Sequence, residues 1–413
     1  MHNNTICIAM ETAACRSIPL REITASAGDY IQYNMPMNQV PDFCAASASG
    51  SEWQAIVDDC LNALGTRPDN ASLGFIYVTD ALAPWLENVL HSLRERTGVQ
   101  TWIGSVGSGI CATAQEYYDE PALSIMLASL PPDSFRTLPA GIAELSDMLT
   151  ENRSWLEQHN VHFGIVHGDP RNRYLPQVIE SLSTQLDPGF LVGGLSSADT
   201  EQHLLQVAGS IQQDGLSGVL LDASVAVISS LTQGCTPLDN KHIITRCQGN
   251  ILSELDNRPA LDVFKEDIGE VLSRNLGRVS GYIFAALPIP GSDTGDYLVR
   301  NLIGIDPEQK LLAIGDNLEE DAQLMFCRRD SDAAREDMQR MLADLARRSR
   351  GKIRGGLYFS CLGRGRSQFG TDSHELKMIR DQLGDFPLVG FFANGEISHN
   401  RLYGYTGVLT LFV

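Results

Sequence analysis

Apolar positions recur along the chain in two alternating rhythms. From Ser51, whose hydroxyl with Gln54 three residues on predicts a capped helix start, Trp53, Ile56, Val57, Cys60, Leu61 and Leu64 fall on one helical face and Gly65 supplies the stop. The chain then writes one order three times: an apolar strand, an amphipathic helix, a second strand with a glycine near its middle, and later a third apolar strand. The first unit holds GFIYVTD (74–80), a helix from Trp85 to Arg96, WIGSVGSGI (102–110) and ALSIMLASL (122–130). The second holds FGIVHGD (163–169), a helix from Tyr174 to Leu186, FLVGGLSSAD (190–199) and GVLLDASVAVISSL (218–231). The third holds GLYFSCLGRG (356–365), a helix from His374 to Leu383, PLVGFFANGEI (387–397) and GYTGVLTLFV (404–413).

Strands alternating with helices predict α/β layers, and the short connection before each closing strand predicts mixed or antiparallel pairing rather than a pure doubly wound sheet, so mixed sheets are expected. The expected architecture is two layered α/β domains with mixed sheets built from repeated strand-helix-strand-strand units. The boundaries fall at an N-terminal extension (1–45), an N-terminal domain (46–235) and a C-terminal domain (236–413). The third unit runs to Val413, which makes the last strand structural rather than a tail. A further helix from Ser331 to Arg350 carries acids first and bases last, as the helix dipole favours, with Met338, Met341, Leu342 and Leu345 as its buried face.

At 413 residues the chain suits two domains, and a hydrophobic fraction of 43% with 20% charged residues is globular composition. A net charge of −20 repels polyanions, which sets aside nucleic acid and anionic membrane as partners. No apolar run is long enough for a membrane span; the most apolar stretch, Val219 to Leu231, is broken by Asp222 and serines. Nine scattered cysteines without a CxxC pair, behind an N-terminus with no secretion pattern, point to the reducing cytoplasm.

Candidate chemistry is sparse. No GxSxG, HExxH, EF-hand or zinc spacing occurs, so the expectation is a non-enzyme; Cys361, Cys235 and Ser367 are the conceivable nucleophiles, each needing a base beside it. Gly104, Gly193 and Gly390 sit mid-strand where a side chain would normally pack, so a ligand or a neighbouring strand must approach the backbone closely there. Between a strand and a helix whose start reads as an Asp372–Glu375 capping box lies CLGRGRSQFG (361–370), whose glycine amides and arginines suit an anion cradle but match neither GxxxxGK[ST] nor GxGxxG. If the first two strands of the third unit are neighbours, Arg364, Gly365, Arg366 and Ser367 meet Asn394, Gly395 and Glu396 at one sheet edge. Two arginines and Glu396 would then line one polar pocket suited to an amino-acid-like zwitterion, unless an arginine pairs with Glu396 structurally. His162 and His167, five apart on a strand, point to opposite faces and cannot chelate one ion.

GLYFSCLGRGRSQFG, PLVGFFANGEI and YGYTGVLTLF resemble the end of the FIST C-terminal domain, and SxxQGCTP (230–237), TRCQGNILSELDNRPALDVF (245–264) and YLVRNLIGIDPE (297–308) resemble the core of the same family. LVGGLSS (191–197) and the opening from Trp53 resemble the FIST N-terminal domain. The resemblance implies a sensory input module that binds a small ligand, such as an amino acid, and passes the signal to a separate partner such as a histidine kinase. Gly193, Gly194 and Ser196 join the third-unit loop as ligand-binding candidates. The family also includes haem-binding nitric oxide sensors, for which His162, His167, His203 and His242 are the candidate axial ligands.

Overall fold

The computed structural model describes residues 42–186, 189–279, 281–289 and 297–413; residues 1–41, most of the expected N-terminal extension, lie outside them. Three units share one plan. The first runs β1 (Phe43–Ser49), α1 (Trp53–Ala63), β2 (Leu73–Thr79), α2 (Leu86–Thr97), β3 (Thr101–Gly107), β4 (Gly109–Ala112), β5 (Gln115–Tyr118) and β6 (Ala122–Ala128). The second runs β7 (Phe135–Leu138), α3 (Ile142–Glu151), α4 (Arg153–Gln158), β8 (Phe163–Gly168), α5 (Leu175–Gln185), β9 (Phe190–Leu195), β10 (Gln206–Ala208), β11 (Ser210–Gln212) and β12 (Leu216–Leu221).

The third unit opens with β13 (Val227–Gln233) and is then interrupted by an antiparallel insertion. This comprises β14 (Cys235–Gln248), β15 (Ile251–Leu255), β16 (Arg258–Pro259), α6 (Ala260–Ser273), β17 (Ile283–Pro288), β18 (Tyr297–Asp306), β19 (Leu311–Ile314) and β20 (Gln323–Arg329). Its strands run in the order β14-β20-β17-β18-β19-β15-β16 and a β14–β15 pairing closes them into a small barrel around Phe264, Phe326 and Leu312. The unit resumes with α7 (Ser331–Ser349), β21 (Gly355–Cys361), α8 (His374–Leu383), β22 (Leu388–Ala393), β23 (Glu396–His399), β24 (Arg401–Tyr403) and β25 (Thr406–Phe412).

Each unit builds a mixed sheet, as the sequence predicts: first and second strands parallel, closing strand antiparallel to the first. The C-terminal strand β25 is fully buried between β13 and β21. The run 218–231, expected as one strand, is two: Asp222 accepts from Ser224 N–H and turns the chain between β12 and β13. The helix expected from Ser51 starts with Glu52 as its cap and no side-chain capping bond.

Hairpins are exchanged in a ring. The orders are β1-β6-β2-β3-β10-β11, β24-β23-β9-β8-β12-β7 and β13-β25-β21-β22-β4-β5, so each sheet ends in the hairpin of another unit. Sheets therefore cut across the 235/236 boundary in both directions. Ile76, Val166 and Tyr358 face Gly104, Gly193 and Gly390 in register, and a Cβ on those glycines would lie 1.6, 1.7 and 1.8 Å from the three carbonyl oxygens. A neighbouring strand, not a ligand, is what approaches them. The next residues, Tyr77, His167 and Phe359, point to the shared centre, where their rings meet at centroid distances of 5.6, 5.8 and 6.2 Å. No helix among the described residues is long and apolar enough to cross a membrane.

Candidate functional site

The arginine loop leaves β21 at Cys361 and reaches α8 through a single 3-10 turn over Gly365–Ser367. Gly365 has φ +49°, and its amide donates to Glu375 Oε2 at 2.8 Å. Arg364 is wholly buried: its Nε donates to Glu375 Oε1 at 2.8 Å and its guanidinium lies 4.9 Å over the Phe369 ring. Tyr358 Oη donates to the same carboxylate at 2.6 Å, and Ser360 Oγ at 3.2 Å. Removing both charges from water is costly, and this ring of donors is what offsets the cost.

Two expectations are corrected here. Glu375 does not form a capping box with Asp372; Ser373 is the cap residue and makes no side-chain capping bond, while Glu375 turns inward beside Leu376 and Ile379. The signal was its position: 375, 376 and 379 share the helix's buried face. Nor do Arg364, Arg366 and Glu396 line one polar pocket. Arg366 points to the surface, pairs with Asp119 and stacks 4.4 Å over Tyr118, and Ser367 is exposed.

Glu396 is fully buried at the start of β23. Its Oε2 accepts from Thr406 N at 3.0 Å and Thr406 Oγ1 at 2.7 Å, while Oε1 has no partner. Burial pushes its carboxyl up to about 8, so it is a neutral acid at neutral pH. Opposite it in register is Gly194, with Gly193 opposite Ile397; Leu195 and Gly395 exchange a backbone bond, and Asn394 N donates to Leu195 O. The structure thus brings Gly193, Gly194, Asn394, Gly395 and Glu396 together as a strand pairing between units. Ser196 lies one step on, its Oγ 2.8 Å from Ser105 Oγ in the interior.

Beneath the loop, sequence reasoning missed a group of unpartnered polar atoms. Thr232 Oγ1, Thr236 Oγ1, Arg364 Nη1, Gln368 Oε1 and Glu396 Oε1 are all buried with no hydrogen-bond partner. Around the loop, Gln368 Nε2 donates to Gly234 O at 2.6 Å, Gly234 N donates to Tyr405 O, and Thr406 follows to bind Glu396. Thr232 stands opposite Gly407 and so faces the α8 side with Tyr358, whereas Thr406 and Glu396 lie on the other face of the sheet. Buried polar atoms are satisfied in native proteins, so these orphans mark places on the two faces of the sheet where small polar molecules bind, water among them. Cys361 adjoins Glu396, but burial raises the thiol as it raises the acid, so the pair holds no thiolate. Cys235 is buried next to Cys327 on the neighbouring strand.

Three of the four candidate histidines are tied to buried or acidic partners. His167 is buried among Tyr77, Phe359 and Phe391, donating to or accepting from Tyr77 Oη at 3.2 Å, and burial pushes its imidazole down to about 3. His203 is held by Asp80 at 2.6 Å, and His242 lies between Asp256 and Asp267 at 2.6 and 2.8 Å. His162 contacts the Asn160 carbonyl at 3.2 Å. The groove between α3, α4 and α5 and that beside α2 are lined by none of these residues.

The FIST N domain profile matches residues 72–258 and the FIST C domain profile residues 260–399. An uncharacterised protein of Mycobacterium tuberculosis is 35% identical over 324 residues, covering 75% of this chain and 83% of its own length. An uncharacterised protein of Mycobacterium bovis is 30% identical over 344 residues, covering 79% of this chain and 86% of its own.

Proposed function

The chain belongs to the FIST family of sensory signalling domains, and from that premise we propose that it binds a small polar ligand beneath the 362–373 loop and signals to a separate protein, such as a histidine kinase, rather than catalysing a reaction. The unpartnered buried atoms Arg364 Nη1 and Thr232 Oγ1 on the α8 side of the sheet, with Gln368 Oε1 at the adjoining corner, carry this reading. Arg364 supplies a fixed cation and donor, Gln368 an acceptor, and Thr232 a hydroxyl that can both donate and accept. That set suits an amino acid or a small amide or carboxylate. Loop and β13–β14 corner belong to different segments, so a ligand bridging them couples the third unit to the barrel.

Thermal shift of the full chain against amino acids and small carboxylates tests it. A ligand at a hundredfold its Kd stabilises by about 2.7 kcal/mol. Thr232→Val removes an unpartnered hydroxyl without changing shape, so it should keep the melting temperature and reduce the ligand response. No response at millimolar ligand, or an undiminished one in Thr232→Val, overturns the site.

A further inference from the structure

The three units differ at one place in their helical layer. In the first, α1 packs directly on α2, and in the third α7 packs on α8. In the second, the helix before β8 breaks at Asn152 (φ −96°, ψ 16°), and a groove of about 710 Å³ separates α3 and α4 from α5. The break is built in. Asn152 Nδ2 donates to Met148 O at 2.9 Å and its Oδ1 accepts from Arg136 Nε at 3.2 Å, while the Arg136 guanidinium lies 4.4 Å over the ring of Trp155. Trp155, buried, donates from Nε1 to Asp133 O at 2.9 Å and so ties α4 to the turn before β7.

Leu145, Leu149 and Leu156 form one wall of the groove and Val178, Leu182 and Leu186 the other. Its volume is within the range of small-ligand pockets, whereas a stable protein interface buries about 800 Å² on each partner, more than a cleft between two short helices presents. Arg153 also lines it and has no ion-pair or hydrogen-bond partner among the described residues, in a chain whose net charge is −20. Glu157, at i+4 and so beside Arg153, lines the groove too and repels an anion, which leaves Arg153 as the group that holds an anionic headgroup on the side away from it. We propose that this groove binds an amphiphilic monocarboxylate, its alkyl chain between the leucine walls and its carboxylate on Arg153.

The site is distinct from the one beneath the 362–373 loop, and the two can be tested separately. Calorimetry of the full chain with decanoate should show saturable binding, with decylamine bound more weakly because its cation meets Arg153. Arg153 is exposed, so Arg153→Gln keeps the fold; it should weaken decanoate about tenfold and abolish the preference over decylamine. Val178→Trp, filling the groove from a half-buried position, should remove binding of both. Absence of decanoate binding, equal binding of decylamine by the unaltered protein, or decanoate affinity unchanged by Arg153→Gln overturns the assignment.

Discussion

Replacing Glu396 by glutamine isolates the energetic consequence of burying a carboxyl group whose second oxygen has no partner. In the folded chain the group ionises near 8, against 4.5 in the open chain, because burial disfavours its charge. Below the unfolded value both states are protonated and its neutral form costs nothing. As pH rises from there, the unfolded chain ionises while the folded one does not, so stability falls until the folded group ionises in turn. Glutamine has nearly the same shape, can accept from Thr406 through its amide oxygen and does not titrate. The variant should therefore gain on the parent by about 1.4 kcal/mol per pH unit, roughly 2.7 kcal/mol between about pH 5.5 and about pH 7.5. Urea unfolding followed by circular dichroism at several pH values measures it; other titrating groups cancel in the difference. A gap between variant and parent that stays constant over that window refutes the buried-acid argument.

Glu375→Ala leaves Arg364 buried without its anion and should cost about 3–5 kcal/mol in urea unfolding; a loss below about 1 kcal/mol would mean that water reaches the guanidinium. By contrast, Arg366→Ala breaks an exposed pair with Asp119 and should change stability by no more than about 1 kcal/mol, with ligand response intact. Gly390→Ala places a Cβ 1.8 Å from the Tyr358 carbonyl oxygen, so it should lower stability by about 3 kcal/mol or more, and a melting temperature equal to the parent's would contradict the close strand approach.

Local rhythm was enough to place the central strand-helix-strand core of each unit, while the exchanged hairpins and the break at Asp222 were not read from it. The helix from His374 to Leu383, the buried face of α7 at Met338, Met341, Leu342 and Leu345, and the mixed character of each sheet all follow from patterns a few residues long. The three mid-strand glycines were legible as sites of close approach, and the choice between ligand and strand was not, because only the paired strand supplies the carbonyl. What lay beyond the sequence is non-local. A sheet edge can pair with any strand that reaches it, so the exchange of β4–β5, β10–β11 and β23–β24 around the ring is decided by where the three units pack, as is closure of the barrel. The same holds for the loop's charges. Arg364 and Arg366 stand two residues apart with the same chemistry, yet one is drawn inside by Glu375, Tyr358 and the Phe369 ring and the other is left at the surface with Asp119 of the first unit's hairpin. Which arginine is buried, and which acid meets it, depends on partners 11 and 247 residues away along the chain, and only the folded arrangement brings them near.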